Sequence, residues 1–224
     1  MLAEKFNLAQ KNISPSTQAT FVNIGGISNL TRVSSSYDIQ SLDCGPGMCL
    51  IDKWIRVNSK NRIDKDGKIA KKGNIDNKIL WKYIKKIDKF FFWCNTFDIN
   101  DFNIDLVKGL SLADGAATLT ELTALNILRK VEDTSLEKTN FILCGGGRKN
   151  NFLIKRIEKI MTDQKLFKVL NLKMIDKFKI DGDFIESQAF ACLAIRSYLK
   201  LPISFPSTTG CEKPCTGGVI VKNF

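Results

Sequence analysis

Histidine is absent from this 224-residue sequence, and so are a CxxC pair and any apolar run long enough to cross a membrane. Without histidine, a zinc site would need cysteine and carboxylate ligands, and the seven cysteines are scattered at spacings that do not match one. Several cysteines lie in apolar stretches, which is typical of small buried side chains in a reducing compartment. We therefore predict no protein-ligated metal, no membrane span and a cytoplasmic location.

Two common nucleotide signatures are also missing. These are the GxxxxGK[ST] phosphate loop and a GxGxxG turn followed by an acidic residue at the right distance. The formal net charge of +11 raises the alternative of nucleic-acid binding. However, the densest basic segment, residues 53–89, carries aspartates throughout, so we favour a solvated basic face over a nucleic-acid surface.

Strand-like and helical apolar patterns alternate along the chain, which predicts an α/β sheet with flanking helices. The predicted strands are residues 21–33, a hairpin around Gly25-Gly26, then 140–144, 167–175 and the terminal GGVIV at 217–221. The predicted helices are centred on residues 50–55, 79–87, 116–131, 152–161 and 183–200. We treat residues 1–224 as one α/β domain, in which the charged residues 58–102 form an insertion or subdomain.

Two glycine clusters follow apolar strands, Gly25-Gly26 and Gly145–Gly147. Glycine lets the backbone approach a phosphate and present N–H groups to it, and a following helix N-terminus favours negative charge. Taken alone, each cluster is equally explained as a tight turn required by sheet packing. In this order along the chain, the two clusters resemble the second phosphate loop and the adenosine loop of actin-like ATPases.

Longer segments match one family in order along nearly the whole chain. They are NIGGISNLT (23–31), DCGPG (43–47), Leu50, Asp52 and Trp54, ATL (117–119), ELTA (121–124), CGGG (144–147) with Asn150, Gly182-Asp183 with Glu186, AFA (189–191), Pro206-Ser207 with Thr209-Gly210, and Gly217. On these segments the sequence is similar to the anhydro-N-acetylmuramic acid kinases. The resemblance implies an actin-like (ribonuclease H-like) α/β fold with a mixed sheet.

The resemblance also implies an activity. By this resemblance the protein would be a homodimeric kinase of peptidoglycan recycling that uses ATP and Mg²⁺. Water would open the 1,6-anhydro ring of the sugar, and phosphorylation at O6 would give N-acetylmuramic acid 6-phosphate. In that family the first phosphate loop and the principal catalytic aspartate lie upstream of the NIGG hairpin, and neither is found in this chain. We therefore expect a C-terminal portion whose N-terminal half is missing or separately encoded.

Carried over residue by residue, the resemblance assigns the site. The nucleotide-binding residues would be Asn23, Gly25, Gly26, Asn29, Gly145, Gly146, Gly147 and Asn150. Asp43, Gly45 and Glu186 would bind the sugar, and Glu186, in the first turn of a helix, would be the catalytic carboxylate. From the residues alone, Glu186 is better explained as a solvated capping group, and Asp43 and Asp52 either cap helices or face the sugar or a metal.

The chain departs from the family at several positions. Cys44 replaces the usual Thr, and Met48 replaces an Asn whose amide contacts a thioether cannot make. The family's Pro-Lys-Ser segment is replaced by Cys94-Asn95-Thr96, Ile99 stands where an arginine is expected, and Ser187-Gln188 replaces a small residue. These departures predict little or no kinase activity for the isolated chain. The alternative is a non-catalytic remnant that binds nucleotide or a partner.

Overall fold

The computed structural model describes residues 18–33, 39–93, 96–134 and 139–221. Its sheet has five strands in the order β3-β2-β1-β4-β5. The strands are β1 (Gln18–Ile24), β2 (Ile27–Val33), β3 (Ile39–Pro46), β4 (Thr139–Cys144) and β5 (Leu170–Met174). The β1–β2 and β2–β3 pairs are antiparallel, whereas β1–β4 and β4–β5 are parallel. This mixed sheet with flanking helices confirms the predicted fold class.

Five of the six α-helices in the described residues lie where the apolar periodicity predicted them, and the sixth, at Pro206–Thr209, was not predicted. The six helices are α1 (Cys49–Asn58), α2 (Asn77–Trp93), α3 (Leu112–Thr134), α4 (Asn151–Asp163), α5 (Ile185–Tyr198) and the short α6 (Pro206–Thr209). Helix α4 is capped as expected, because Asn150 Oδ1 accepts a hydrogen bond of 3.0 Å from the backbone N–H of Leu153. Strand β5 is shorter than predicted, since Leu166–Lys168 form a 3₁₀ turn before it.

The terminal strand predicted for residues 217–221 is wrong. Val219, Ile220 and Val221 are 89%, 58% and 62% exposed, and in the part of the chain that the structure describes no strand runs beside them. The nearby β contact is a single bridge between Ser204 and Cys215. A β-prone sequence becomes a strand only with a pairing partner, and this run has none among the described residues.

Helices α3 and α4 cover one face of the sheet. Leu128 of α3 and Ile157 of α4 pack with Val22, Leu30 and Leu143 in one core cluster. The opposite face is covered by the segment that follows β5. There Ile175, Phe178 and Ile185 pack on Phe21 and Ile142. Because β4 is buried on both faces, it forms the centre of the domain.

A further core cluster lies beside the sheet, where α1 and α2 pack on the first turns of α3. Trp54 of α1, Tyr83 of α2 and Leu119 of α3 belong to it, together with Ala70 and Phe102. The charged region 58–102 therefore packs into the domain through its apolar residues. Its status as an insertion or subdomain stays a prediction. No helix in the described ranges is both long enough and apolar enough to span a bilayer.

Helix α5 leaves large apolar side chains in solvent. Phe190, Ile195 and Tyr198 are 66%, 61% and 68% exposed, and the helix has apolar residues around most of its circumference. A helix with this pattern is normally buried, and a contiguous exposed apolar surface favours association. We infer that α5 is a contact surface.

We predict that the purified chain self-associates at micromolar concentration, measured by size-exclusion chromatography with light scattering. The double substitution Ile195→Gln/Tyr198→Gln should shift it toward monomer, because each large apolar side chain buried at a contact is worth about 1.5–3 kcal/mol. Trp81→Gln, a change at a 57% exposed residue of α2, is the control and should change nothing. A wild-type chain that is monodisperse, monomeric and melts cooperatively would contradict the prediction.

Candidate functional site

The Gly25-Gly26 turn between β1 and β2 contacts the beginning of α1. The Gly25 carbonyl accepts a hydrogen bond of 2.8 Å from Met48 N–H, and the Gly26 carbonyl accepts bonds of 2.9 and 3.2 Å from Gly47 and Cys49 N–H. The turn thus caps α1 with its own carbonyl groups. Because a trans peptide places N–H and C=O on opposite sides, the Gly26 N–H points away from α1.

The second glycine cluster is pressed against the end of β1. A Cβ atom on Gly145 would lie 2.3 Å from Asn23 Oδ1, and one on Gly147 would lie 2.3 Å from Ile24 Cγ2. Gly145 also has φ +77°, which side-chain-bearing residues rarely adopt. Gly146 is different, since a Cβ there would meet no atom within 4 Å. Packing therefore explains Gly145 and Gly147, whereas Gly146 opens onto free space.

Two cavities meet at these glycines, and Gly25, Gly26 and Gly146 line both. The polar cavity has a volume of about 540 Å³ and is lined by Asn23, Asn29, Gly145, Asp183 and Glu186 among others. Asn23 and Asn29 face each other across the hairpin register. Glu186 lies in the first turn of α5 and is exposed to this space. The structure therefore brings the predicted catalytic residue beside six of the eight predicted nucleotide residues.

The apolar cavity has a volume of about 650 Å³ and is lined by the remaining two predicted nucleotide-binding residues, Gly147 and Asn150. Its exposed surface is mostly apolar, with Met48 and Ile63 contributing. Charged side chains also line it, namely Asp52, Asp64, Lys65, Asp66 and Lys149. Asn150 is 4% exposed, and its Nδ2 has no hydrogen-bond partner among the described residues. The beginning of α4, which Asn150 caps, therefore lies at this cavity, and its role in nucleotide binding stays a prediction.

Asp52 also lines the apolar cavity, from α1. Burial raises the pKa of its carboxyl from 3.8 to about 6, with the nearby Asp64 carboxylate adding to the shift and Arg56 opposing it. Asp52 does not cap α1, because the residue at the N-cap is Met48 and the Asp52 N–H bonds to the Met48 carbonyl. Of the two alternatives for Asp52, the capping one is wrong.

The predicted sugar-binding residues of β3 lie on the far side of the hairpin. Asp43 Oδ2 accepts a hydrogen bond of 2.8 Å from Phe97 N–H, and burial raises the pKa of this carboxyl. Gly45 has φ +107° and packs against Asn126 of α3. Asp43 thus fixes the segment at Phe97 beside β3, and neither Asp43 nor Gly45 is among the lining residues of the two cavities. Their sugar-binding role stays a prediction.

An ion-pair cluster that the sequence analysis missed joins the glycine loop to the beginning of α5. Arg148, with a side chain 6% exposed, pairs with Asp176 at 2.8 Å and Asp183 at 2.9 Å, and Lys149 also pairs with Asp183. Arg148 follows Gly145–Gly147 directly, whereas Asp176 and Asp183 lie 28 and 35 residues later, beyond α4 and β5. Local sequence pattern does not signal such a pairing.

Two departures from the family pattern lie at the glycines. Met48 lines the apolar cavity, and Ile99 is 52% exposed with its Cγ2 3.3 Å from where a Gly26 Cβ would be. The chain thus has apolar groups at both positions. Cys94 and Asn95 lie outside the described residues. Among the described carboxyl and cysteine side chains, no group of three or more is arranged to hold a metal ion.

The prediction that the cysteines are small buried side chains is confirmed for some of them and not for others. Cys44 and Cys144 are buried, and burial raises the pKa of each thiol to about 12, so both stay protonated at neutral pH. Cys215, in contrast, is exposed.

Comparison with known proteins gives a consistent result. A family model described as anhydro-N-acetylmuramic acid kinase matches residues 7–223. Three relatives of that name come from Pelagibacter ubique, Brucella canis and Agrobacterium fabrum, at 46%, 38% and 35% identity. The alignments cover 92%, 90% and 92% of this chain but 56%, 53% and 54% of the relatives. The chain therefore spans about half the length of the curated relatives it matches.

A solved structure also aligns with the chain. It is the activator of the 2-hydroxyisocaproyl-CoA dehydratase from Clostridium difficile with bound ADPNP, with 12% identity and a TM-score of 0.45. The alignment covers 77% of this chain and 59% of that one.

The raised pKa of Asp52 predicts a pH dependence of stability. Between pH about 4 and 6 the folded chain keeps a proton on Asp52 that the unfolded chain has lost, so this group's contribution to the free energy of unfolding falls as pH rises. Asp52→Asn should remove that fall, measured by urea unfolding at pH 4, 5, 6 and 7. Glu158→Gln, at an exposed residue of α4, is the control. Identical pH slopes for wild type and Asp52→Asn would contradict the assignment.

Proposed function

The chain belongs to the anhydro-N-acetylmuramic acid kinase family, and we propose that it supplies half of the ATP site and half of the sugar site of such a kinase. The reaction is phosphorylation of 1,6-anhydro-N-acetylmuramic acid by ATP, coupled to hydrolytic ring opening. Water adds to the anomeric carbon, the bond from that carbon to O6 breaks, and O6 receives the phosphoryl group. The products are N-acetylmuramic acid 6-phosphate and ADP, in cytoplasmic peptidoglycan recycling.

The observation that carries this proposal is the meeting of two chemically different cavities at three glycines. Gly25, Gly26 and Gly146 present backbone without side chains to both cavities. The Gly26 N–H points away from α1, and Gly146 has open space above its Cα. Backbone N–H groups at such turns hold phosphate oxygens. The proposal places the ATP phosphates at these glycines.

The two cavities suit the two substrates, the nucleotide and the sugar. A purine base is a flat apolar ring with few polar edges, and the apolar cavity, with Met48 and Ile63, matches it. The polar cavity, with Asn23, Asn29 and Glu186, offers amide and carboxylate groups to the hydroxyls of a sugar. In this arrangement the phosphates would bridge the cavities, with the transferred phosphoryl group toward Glu186.

Glu186 is the proposed general base. Its carboxylate lies in the first turn of α5 and lines the polar cavity, where it would accept a proton from the attacking water. Mg²⁺, when bound, neutralises charge on the phosphates. Phosphate and water oxygens supply most of its usual ligands, so Glu186 would stay free to act as the base. The family aspartate that completes the chemistry is not among the residues assigned in this chain.

The first test is nucleotide binding by the purified chain. Gly146→Val should weaken ATP affinity at least about tenfold, the loss expected when a side chain blocks one charge-assisted backbone contact, measured by isothermal titration calorimetry. Gly146→Ala, whose Cβ would meet no atom within 4 Å, should keep the wild-type melting temperature and shows that position 146 tolerates a side chain. Gly217→Ala, in the C-terminal tail, is the matched control and should bind ATP as wild type does. Equal affinity for Gly146→Val and wild type would refute phosphate binding at Gly146.

The second test is reconstitution of turnover. The chain alone should convert no anhydro-sugar, whereas co-expression with the N-terminal half of the Pelagibacter ubique relative should give ATP-dependent product, measured by mass spectrometry. In that pair Glu186→Gln should lower kcat by about 10²-fold or more, the usual contribution of a general base. Glu158→Gln should leave turnover unchanged. Full activity of Glu186→Gln, or turnover by the chain alone, would contradict the proposal.

The alternative is a chain that binds nucleotide, or a partner chain through α5, without catalysis. The apolar Met48 and Ile99 at the glycines favour it. It predicts the same ATP affinities but no turnover in the reconstituted pair, so the second test separates the two functions.

A further inference from the structure

The Arg148 guanidinium, next to the glycine loop, donates four hydrogen bonds. Its Nε and Nη2 donate to the two carboxylate oxygens of Asp176 at 2.8 and 2.9 Å. Its Nη1 donates to Asp183 Oδ1 at 2.9 Å and to the Gly145 carbonyl at 3.0 Å. One buried guanidinium therefore joins the glycine loop, the turn after β5 and the segment that leads into α5. A planar, forked donor suits these partners in a way that a lysine ammonium does not.

The backbone at Gly182 lies directly on this guanidinium. A Cβ atom at position 182 would be 2.4 Å from both Cζ and Nε of Arg148. The segment approaches this closely only because residue 182 is glycine. Next to it, Asp183 N–H donates to Asp181 Oδ1 at 2.9 Å, which fixes the turn that presents Asp183 to Arg148.

The cluster matters for Glu186 because Asp183, which Arg148 holds, lies three residues before it, where the chain enters α5. Ile185, 8% exposed, is the buried residue of this helix and packs on the sheet with Ile175 and Phe178. The following residues are half-buried or exposed. The first turn of α5 is therefore held on one side by Ile185 and on the other by the pairing of Arg148 with Asp183.

The charges of the cluster persist through neutral pH. The Arg148 guanidinium lowers the pKa of the Asp176 carboxyl, and Lys149, followed by Arg148, lowers the pKa of Asp183. Both carboxylates stay ionised well below pH 7, so the contacts do not act as a pH switch.

We propose that Arg148 is a positioning residue, which fixes the Gly182–Glu186 segment against the glycine loop and so sets the distance between the Glu186 carboxylate and Gly146. This inference rests on the proposed role of Glu186 in catalysis. The contacts themselves join the two parts of the site whether or not the chain binds ATP.

Amide hydrogen exchange, followed by mass spectrometry on the nucleotide-free chain, tests the proposal. Arg148→Met should raise exchange in residues 181–190 by roughly 10- to 100-fold, as expected for the loss of several charge-assisted hydrogen bonds, and leave β4 and α3 as in wild type. Arg148→Lys keeps the charge but not the fork, and should restore part of the protection.

The matched control is Arg156→Met. Arg156 also pairs through two nitrogens with a carboxylate, Glu121, but this pair joins α4 to α3 away from α5. A merely stabilising role for Arg148 predicts the same exchange pattern in both variants. If Arg148→Met does not fold, Asp183→Asn is the second variant. It weakens one ion pair of Arg148 at a side chain that is 45% exposed, and it should raise exchange in the same segment. Unchanged exchange at 181–190 in the folded variants would overturn the proposal.

A turnover measurement in the reconstituted pair adds a functional readout. Arg148→Met should lower kcat and leave the affinity for ATP within about twofold, whereas Arg156→Met should change neither. Failure of wild type to turn over would count against the proposed function, and the exchange result would still decide the role of Arg148.

Discussion

The steric contact between the loop after β4 and the end of β1 determines the arrangement of the site. Because β1 and β4 are parallel neighbours, with Asn23 opposite Cys144, both strands end at the same edge of the sheet. Gly145 and Gly147 leave no room for a side chain against β1, so the two glycine turns lie side by side. The hairpin carbonyls in turn cap α1, and Asn150 caps α4. The two cavities and the beginnings of both helices therefore depend on this contact.

Much of the fold could be predicted, because it follows from local pattern. The hairpin at Gly25-Gly26, the helices α1 to α4 and the buried strand β4 were visible as apolar periodicity interrupted by glycine. The terminal GGVIV run shows the limit of that reasoning, since its valines and isoleucine have high β propensity but no pairing strand among the described residues. β propensity indicates that a segment favours an extended backbone, but a strand forms only where a neighbouring segment pairs with it.

The glycines that line the two cavities could be identified in the sequence, whereas the contacts between side chains distant in sequence could not. Consecutive glycines after an apolar strand indicate a tight turn or a close backbone approach, so the positions of Gly145 and Gly147 could be identified in the sequence. Arg148 looked like one of many basic residues, because its partners Asp176 and Asp183 are brought to it only by the tertiary fold. The environment of Asp52 was equally hidden, since its raised pKa comes from burial against a loop that carries Asp64.

The pairing of β1 with β4 has a consequence for synthesis of the chain. The β1–β2 hairpin needs only local contacts and can form early, whereas β4 must wait until α1, α2 and α3 have been made. Closing that long loop costs chain entropy that the later contacts must offset. On the ribosome, the two glycine turns that line the cavities therefore come together only after β4 has emerged. Throughout that interval the nascent chain carries an unpaired, apolar edge of β1 that a chaperone or a neighbouring chain could occupy.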